Sequence, residues 1–283
     1  MTKLEKFLLS HLDRKSATGD PNCPIDLLDR LSKDEKLTIR CGVAMNPNCP
    51  VDLLVRLSED RECGVRREVA GNPNCPVEIL IRLSGDGMFP VREKVAGNLN
   101  TPVEVLVRLS KDEDNCVRKW AVAHPNCPID LLDRLSKDDD RWVREWVATN
   151  PNCPVDLLVR FSEDLECGVR QRVAKNPNCP VDLLDRLSRD ESDWHNRPYG
   201  TVSRYLRQGV AENPNCPAEI LDRLSKDPDS EVRQKVAENP NCPIDLLVQL
   251  KRAGELRKRK KTASPEEKEI IEAYLTLMEI GVI

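Results

Sequence analysis

The chain has 283 residues, 33% of them charged and 4% aromatic, and a formal net charge of −4. So few bulky aromatics exclude a large single core, and the negative charge argues against a polycationic coat for nucleic acid. No stretch approaches the ~20 consecutive apolar residues that span a bilayer, and the N-terminus lacks the uninterrupted apolar run of a secretory leader, so a cytoplasmic protein is expected.

Residues 1–20 open with Leu4, Phe7, Leu8 and Leu12 at helical spacing, an apolar stripe that predicts a capping helix. From residue 21 to 250 one pattern recurs. The turn NPNCPV at 46–51 returns almost unchanged at 72, 150, 176, 213 and 239. Its cysteines stand at Cys23, Cys49, Cys75, Cys127, Cys153, Cys179, Cys216 and Cys242, and Thr101 fills the one slot without a cysteine. Every step is 26 residues except that from 179 to 216, which is longer by eleven and marks an insertion at 191–207. The count is eight full units and a truncated ninth. Residues 22–34 recur unchanged at 126–138, the mark of a duplicated four-unit block.

Each unit predicts two short helices. In CPVDLLVRLS the cysteine precedes Pro50, which biases it toward the extended backbone of an N-cap, and Pro50 suits the first helical position. Asp52 complements the positive helix end, and Val51, Leu54 and Leu57 are expected to face inward. The second helix, VRREVA in this unit, is expected to stop at Asn72 in a left-handed conformation, with Pro73 beyond it. Neither helix is long enough to stand alone, so neighbouring units must bury their faces, as in a solenoid. The turn cysteines read as small buried capping residues, because Thr101 replaces one of them and no CxxC pair occurs. No metal site and no cofactor is expected.

The pattern NPNCPxDLLxRLSxDxxxxVRxxVAxNPNCP resembles the leucine-rich repeat variant family. That resemblance implies an all-α, right-handed α-solenoid of 26-residue helix–turn–helix repeats with helical caps, each unit pairing an α-helix with a 3₁₀-helix. Family members that carry an iron–sulfur segment hold it in a cysteine-rich N-terminus, whereas residues 1–20 here contain no cysteine.

Two arginine series run through the repeats. One, in the first helix, comprises Arg30, Arg56, Arg82, Arg108, Arg134, Arg160, Arg186 and Arg223. The other lies in the VR motif, where an aspartate precedes the arginine by six residues: Asp60 and Arg66, Asp86 and Arg92, Asp112 and Arg118, Asp138 and Arg144, Asp164 and Arg170. The spacing resembles the ladder of HEAT repeats, in which each arginine bridges carboxylates of adjacent units. Such a guanidinium is not available to phosphate. The competing reading makes the same arginines a rail for nucleic acid.

Departures from the repeat point to function. Trp120 and Trp146 share one slot of the second helix, where other units carry Glu68, Lys94, Arg172 and Lys235, and Trp142 lies one turn before Trp146. These are candidate partner anchors, or else covers for gaps in the stack. The insertion supplies Trp194, Arg197, Tyr199, Arg204 and Tyr205, which could clasp a peptide or stack on bases.

After residue 250 the pattern fades into a basic linker, 251–265, with its densest run at 257–261, and then a second capping helix, 266–283. No catalytic motif occurs, and His11, His124 and His195 are scattered. The reading is a non-enzymatic scaffold that binds a protein or peptide on its curved face, with nucleic acid as the alternative partner. A monomer is expected, and dimerisation through the C-terminal helix is the other possibility.

Overall fold

The computed structural model describes residues 14–189, 201–262 and 265–279. The predicted N-terminal stripe at Leu4 to Leu12 lies outside them. The chain divides into two compact bodies, residues 1–152 and 153–283. Every regular element among the described residues is an α-helix. No described helix is long and apolar enough to cross a membrane.

In the first body the short helix Arg14–Gly19 precedes five units. Their first helices are Ile25–Leu31, Val51–Leu57, Val77–Leu83, Val103–Leu109 and Ile129–Leu135. Their second helices are Leu37–Met45, Cys63–Gly71, Phe89–Gly97, Asn115–Ala123 and Arg141–Thr149. The second body continues with first helices Val155–Phe161, Val181–Ser188, Ala218–Ser225 and Ile244–Thr262. Its second helices are Cys167–Lys175, Thr201–Glu212 and Ser230–Glu238, and Pro265–Glu279 packs on Ile244–Thr262. Each body is an α-solenoid in which the second helices stack on one another.

The core repeats with the sequence. Leu53, Leu54 and Leu57 of one first helix are buried, as are Val65, Val69 and Ala70 of the second helix that follows. Val51 is not among them: it is 50% exposed, because the seven-residue helix turns Leu53 inward beside Leu54 and leaves position 51 on the outer face. Nor is either helix 3₁₀; in the first helix Ser58 N–H bonds the carbonyl of Leu54, four residues back, at 2.9 Å.

The turn also departs from the expected capping. The carbonyl of Pro50 accepts from Leu53 and Leu54 at 3.0 and 3.1 Å, so proline, not cysteine, is the residue before the helix. Cys49 is 3% exposed and caps nothing. Thr101 in the same slot donates backward, from Oγ1 to the carbonyl of Val95 at 2.5 Å. Asn72 is extended, with φ −70° and ψ 130°, because the following proline excludes the helical and left-handed alternatives for the residue before it.

All twelve cysteines are free. Burial pushes the thiols of Cys75, Cys127, Cys153, Cys179 and Cys216 up to about 12, so at neutral pH they hold their protons and offer no thiolate. Replacing Cys75, which is 2% exposed, by threonine therefore leaves the unfolding free energy from urea titration within about 1 kcal/mol of wild type, the new hydroxyl donating to the Val69 carbonyl as Thr101 does to Val95. Cys75→Leu overpacks the turn and costs about 2 kcal/mol or more. Equal loss in the two variants would contradict this packing role.

The run expected as a linker is helical through Thr262. Lysine, arginine, leucine and alanine favour the helix there, and no proline intervenes before Pro265. In the last helix Ile271 and Leu275 are buried while Ile270 and Tyr274 are exposed.

Candidate partner-binding surface

The VR arginines lie between the units. Arg92 donates Nε and Nη2 to the carboxylate of Asp112 in the next unit, at 2.6 and 2.8 Å, and Nη1 to the main-chain carbonyl of Asp86 in its own unit at 2.8 Å. Arg40 with Asp60, Arg66 with Asp86, and Arg118 with Asp138 repeat this fork. In the second body Arg207 pairs with Asp227 in the same way. Arg144 and Arg170 likewise donate to the carbonyls of Asp138 and Asp164. The ladder is thus one-sided: Asp60, Asp86, Asp112 and Asp138 each give the carboxylate to the preceding arginine and to the N–H two residues on, as Asp112 does to Asp114 at 3.0 Å, and give their own unit's arginine only a carbonyl.

Burial pushes the carboxyls of Asp60, Asp86 and Asp112 up, but arginine and backbone hydrogen bonds and nearby positive charge outweigh it and hold all three below the usual range. The same pairs raise Arg40, Arg66, Arg92 and Arg118.

The first-helix arginines also reach across units. Arg56 bonds Ser32 and Asp29, Arg82 bonds Ser58 and Glu59, and Arg134 bonds Ser110, each serine belonging to the end of the preceding first helix. An arginine there complements the negative helix end.

Sequence reasoning missed a third ladder. Asn98 is buried and donates Nδ2 to the carbonyls of Ala70 and Asn72, 28 and 26 residues back, at 2.7 and 2.9 Å. Its Oδ1 accepts from Asn100 N–H at 2.9 Å. Asn46, Asn72, Asn213 and Asn239 make the same pair of backward bonds. The second asparagine of the turn donates to the proline carbonyl of the turn before at Asn48, Asn74, Asn100, Asn152, Asn215 and Asn241, with Asn74 2.5 Å from Pro47 and Asn100 2.7 Å from Pro73. His124 stands in the first position once, with Nε2 3.1 Å from Asn98 O and Nδ1 accepting from Asn126 N–H. The only signal in the sequence was that NPN recurs more strictly than a helix stop requires.

The tryptophans lie on the second helices of the first body. Trp120 and Trp146 stack with ring centroids 6.0 Å apart and planes 30° apart. They are 37% and 36% exposed, and Trp142 is 47% exposed. Trp120 donates Nε1 to Glu93 at 2.7 Å and lies over Gly97, where an added Cβ would sit 3.3 Å from its ring. A depression of about 130 Å³ beside it is lined by Gly71, Glu93, Lys94, Gly97, Asn98 and Trp120. The shared slot is therefore half-covered rather than open. Of its other occupants Lys94 is exposed, whereas Glu68, Arg172 and Lys235 are partly buried, because the slot leans on the preceding second helix.

Arg141 lies over the Trp142 ring at 4.6 Å, and in the second body Arg204 lies over Tyr205 at 4.8 Å. Once the eleven-residue insertion is subtracted, these two pairs occupy the same repeat positions. Arg204 is also close to Asp229 and Glu231, at 3.5 and 4.0 Å. Trp194, Arg197 and Tyr199 lie outside the described residues. Among the described residues no group of three histidine, cysteine or acidic side chains could hold a metal ion.

A family model described as leucine rich repeat variant matches residues 206–229. No curated protein matches the chain. Among solved structures, one entitled "A leucine-rich repeat variant with a novel repetitive protein structural motif" is similar over 75% of this chain and 80% of its own, at 31% identity and a TM-score of 0.50. An engineered protein aligns over 95% of this chain and 98% of its own at 15% identity, with a TM-score of only 0.24. Identity, coverage, the 26-residue helical pair and its ladders agree: the chain belongs to the leucine-rich repeat variant family.

Proposed function

We propose that the protein is a non-enzymatic scaffold that binds a protein or peptide partner through the second helices, with Trp120, Trp142 and Trp146 as anchors. One observation carries this reading. Three indoles from neighbouring units stay 36–47% exposed on one row of helices, in a chain that is 4% aromatic. Half-buried aromatics on rigid elements lose little conformational freedom on binding, which is why they recur as interface anchors. Arg204 and Tyr205, with Trp194, Arg197 and Tyr199, are the second group of candidate contacts. The nucleic-acid reading is weaker, because the forked arginines Arg40, Arg66, Arg92 and Arg118 already hold carboxylates.

The test uses residues the repeat itself accepts: Thr38 stands in the slot of Trp142, and Arg172 in that of Trp146. The double variant Trp142→Thr, Trp146→Arg keeps a melting curve close to wild type and loses the partner recovered from lysate by the wild-type chain, each anchor being worth ~2 kcal/mol or more. Unchanged recovery would remove these residues from the site.

A further inference from the structure

A second surface lies on the first helices of the first body, where three successive units carry aliphatics at both exposed positions of the helix. The helices Val51–Leu57, Val77–Leu83 and Val103–Leu109 each expose two branched aliphatics one turn apart: Val51 and Val55, Val77 and Ile81, Val103 and Val107. All six are 37–50% exposed. Together they present roughly 400 Å² of apolar surface, within the range of the largest patch on a soluble monomer, which is often functional. The first of the two positions is aliphatic in most units, Ile25, Ile129, Val155 and Val181 among them, but the fold does not require an aliphatic at the second. In the unit before, the slot of Val55, Ile81 and Val107 holds Asp29, which pairs with Arg56 at 2.8 Å, and in the unit after it holds Asp133.

The charges around the aliphatics are ordered. At the N-terminal ends stand Asp52, Glu78 and Glu104, exposed and without an ion pair among the described residues. At the C-terminal ends stand Arg56, Arg82 and Arg108, also exposed, the first two already paired within the chain with Asp29 at 2.8 Å and Glu59 at 2.7 Å. Arg108 has no carboxylate partner among the described residues and donates only to the carbonyl of Ile81 at 2.8 Å. The face therefore has an acidic edge, an aliphatic middle and an arginine edge across three units.

We infer that this face pairs with the same face of a second copy of the chain. Rotation about a two-fold axis parallel to the direction of stacking lays aliphatic on aliphatic and brings the acidic edge of each copy against the arginine edge of the other. Such an isologous contact is self-complementary. A partner of one charge sign would satisfy only one edge. The inference is independent of the tryptophan surface, which lies on the other helix of each unit.

Sedimentation velocity of the full chain across the micromolar range tests it. The wild type is expected to sediment as a dimer. Val55→Asp, Ile81→Asp and Val107→Asp together install the residue found at position 29 and are expected to weaken association at least ~100-fold while the far-ultraviolet circular dichroism is retained. Two charge-swap variants guard against a merely unfolded result. Glu78→Arg with Glu104→Arg, and Arg82→Glu with Arg108→Glu, are each expected to be monomeric alone and to form a heterodimer when mixed. A monomeric wild type, a dimer that survives the triple substitution, or swap variants that fail to recombine would each overturn the proposal. The Trp142→Thr, Trp146→Arg variant remains dimeric in any of these measurements if the proposal holds.

Discussion

Arg92→Ala lowers the unfolding free energy by about 3 kcal/mol, read from urea titration, and is the most damaging single change expected in the arginine ladder. The side chains of Arg92 and Asp112 are 11% and 8% exposed. Removing the guanidinium strips Asp112 of two charge-assisted bonds and the Asp86 carbonyl of one, yet leaves the carboxylate in the stack. Arg92→Lys recovers part of the loss, since an ammonium cannot reproduce the fork.

The same pairs set the acid response. Because Asp60, Asp86 and Asp112 lie below their unfolded values, their contribution is fully present above the ordinary carboxylate range and is lost as pH falls through the lower, folded values. The wild type accordingly loses more stability than Arg92→Ala between neutral pH and acid. Parallel pH profiles for the two proteins would refute the ladder's electrostatic role.

Asn98→Ala has a comparable effect, again about 3 kcal/mol, though no charge is involved. The substitution orphans the buried carbonyl of Ala70 and the N–H of Asn100, and takes one of two donors from the carbonyl of Asn72, which keeps the N–H of Cys75 at 3.0 Å. Each unsatisfied buried group costs roughly 1–3 kcal/mol, with partial relaxation reducing the total. Asn98→His falls between alanine and wild type, since His124 already does part of this work with one backward bond instead of two.

His124→Asn is expected to stabilise and to flatten the acid limb. Burial depresses the His124 value, against a smaller opposing effect of its bond to Asn98, and a proton on Nδ1 would face the Asn126 N–H. A group with a depressed folded value supports the fold above its unfolded value and withdraws that support as pH falls. An Asn98→Ala protein as stable as wild type would sink the account of this ladder.

Much of the fold was legible because the repeat does its own averaging. Nine copies of one turn fix the period, and Leu54 and Leu57 mark the buried stripe in each. What failed was the duty assigned within the turn. Cys49, Asn72 and Val51 were each read against their own helix, where capping, stopping and burial are the available roles. The role of Asn72 depends on the neighbouring unit, which local spacing does not describe. Asn72 bonds carbonyls 28 and 26 residues away. The tryptophans were legible as departures from the pattern, but their half-covered setting was not, since Gly97 beneath Trp120 reads locally only as a helix end. The kinship of Arg141–Trp142 with Arg204–Tyr205 was hidden by the insertion that shifts one of them by eleven residues.

That insertion shows what the asparagine rungs measure. Asn213 reaches the carbonyls of Ala174 and Asn176, both at 2.7 Å, across 39 and 37 residues instead of 28 and 26. The rung is indifferent to how much chain lies between its ends, provided the extra length leaves both helices of the pair in place. Here it enters between Val181–Ser188 and Thr201–Glu212, where no rung is anchored. Length can thus be added as whole units, as in the repeated block that returns residues 22–34 at 126–138, or as an excursion at that one joint. A few residues added inside a helix would instead carry an asparagine off both its carbonyls. The ladder acts as a reading frame for the architecture, one that tolerates a parenthesis but not a misprint.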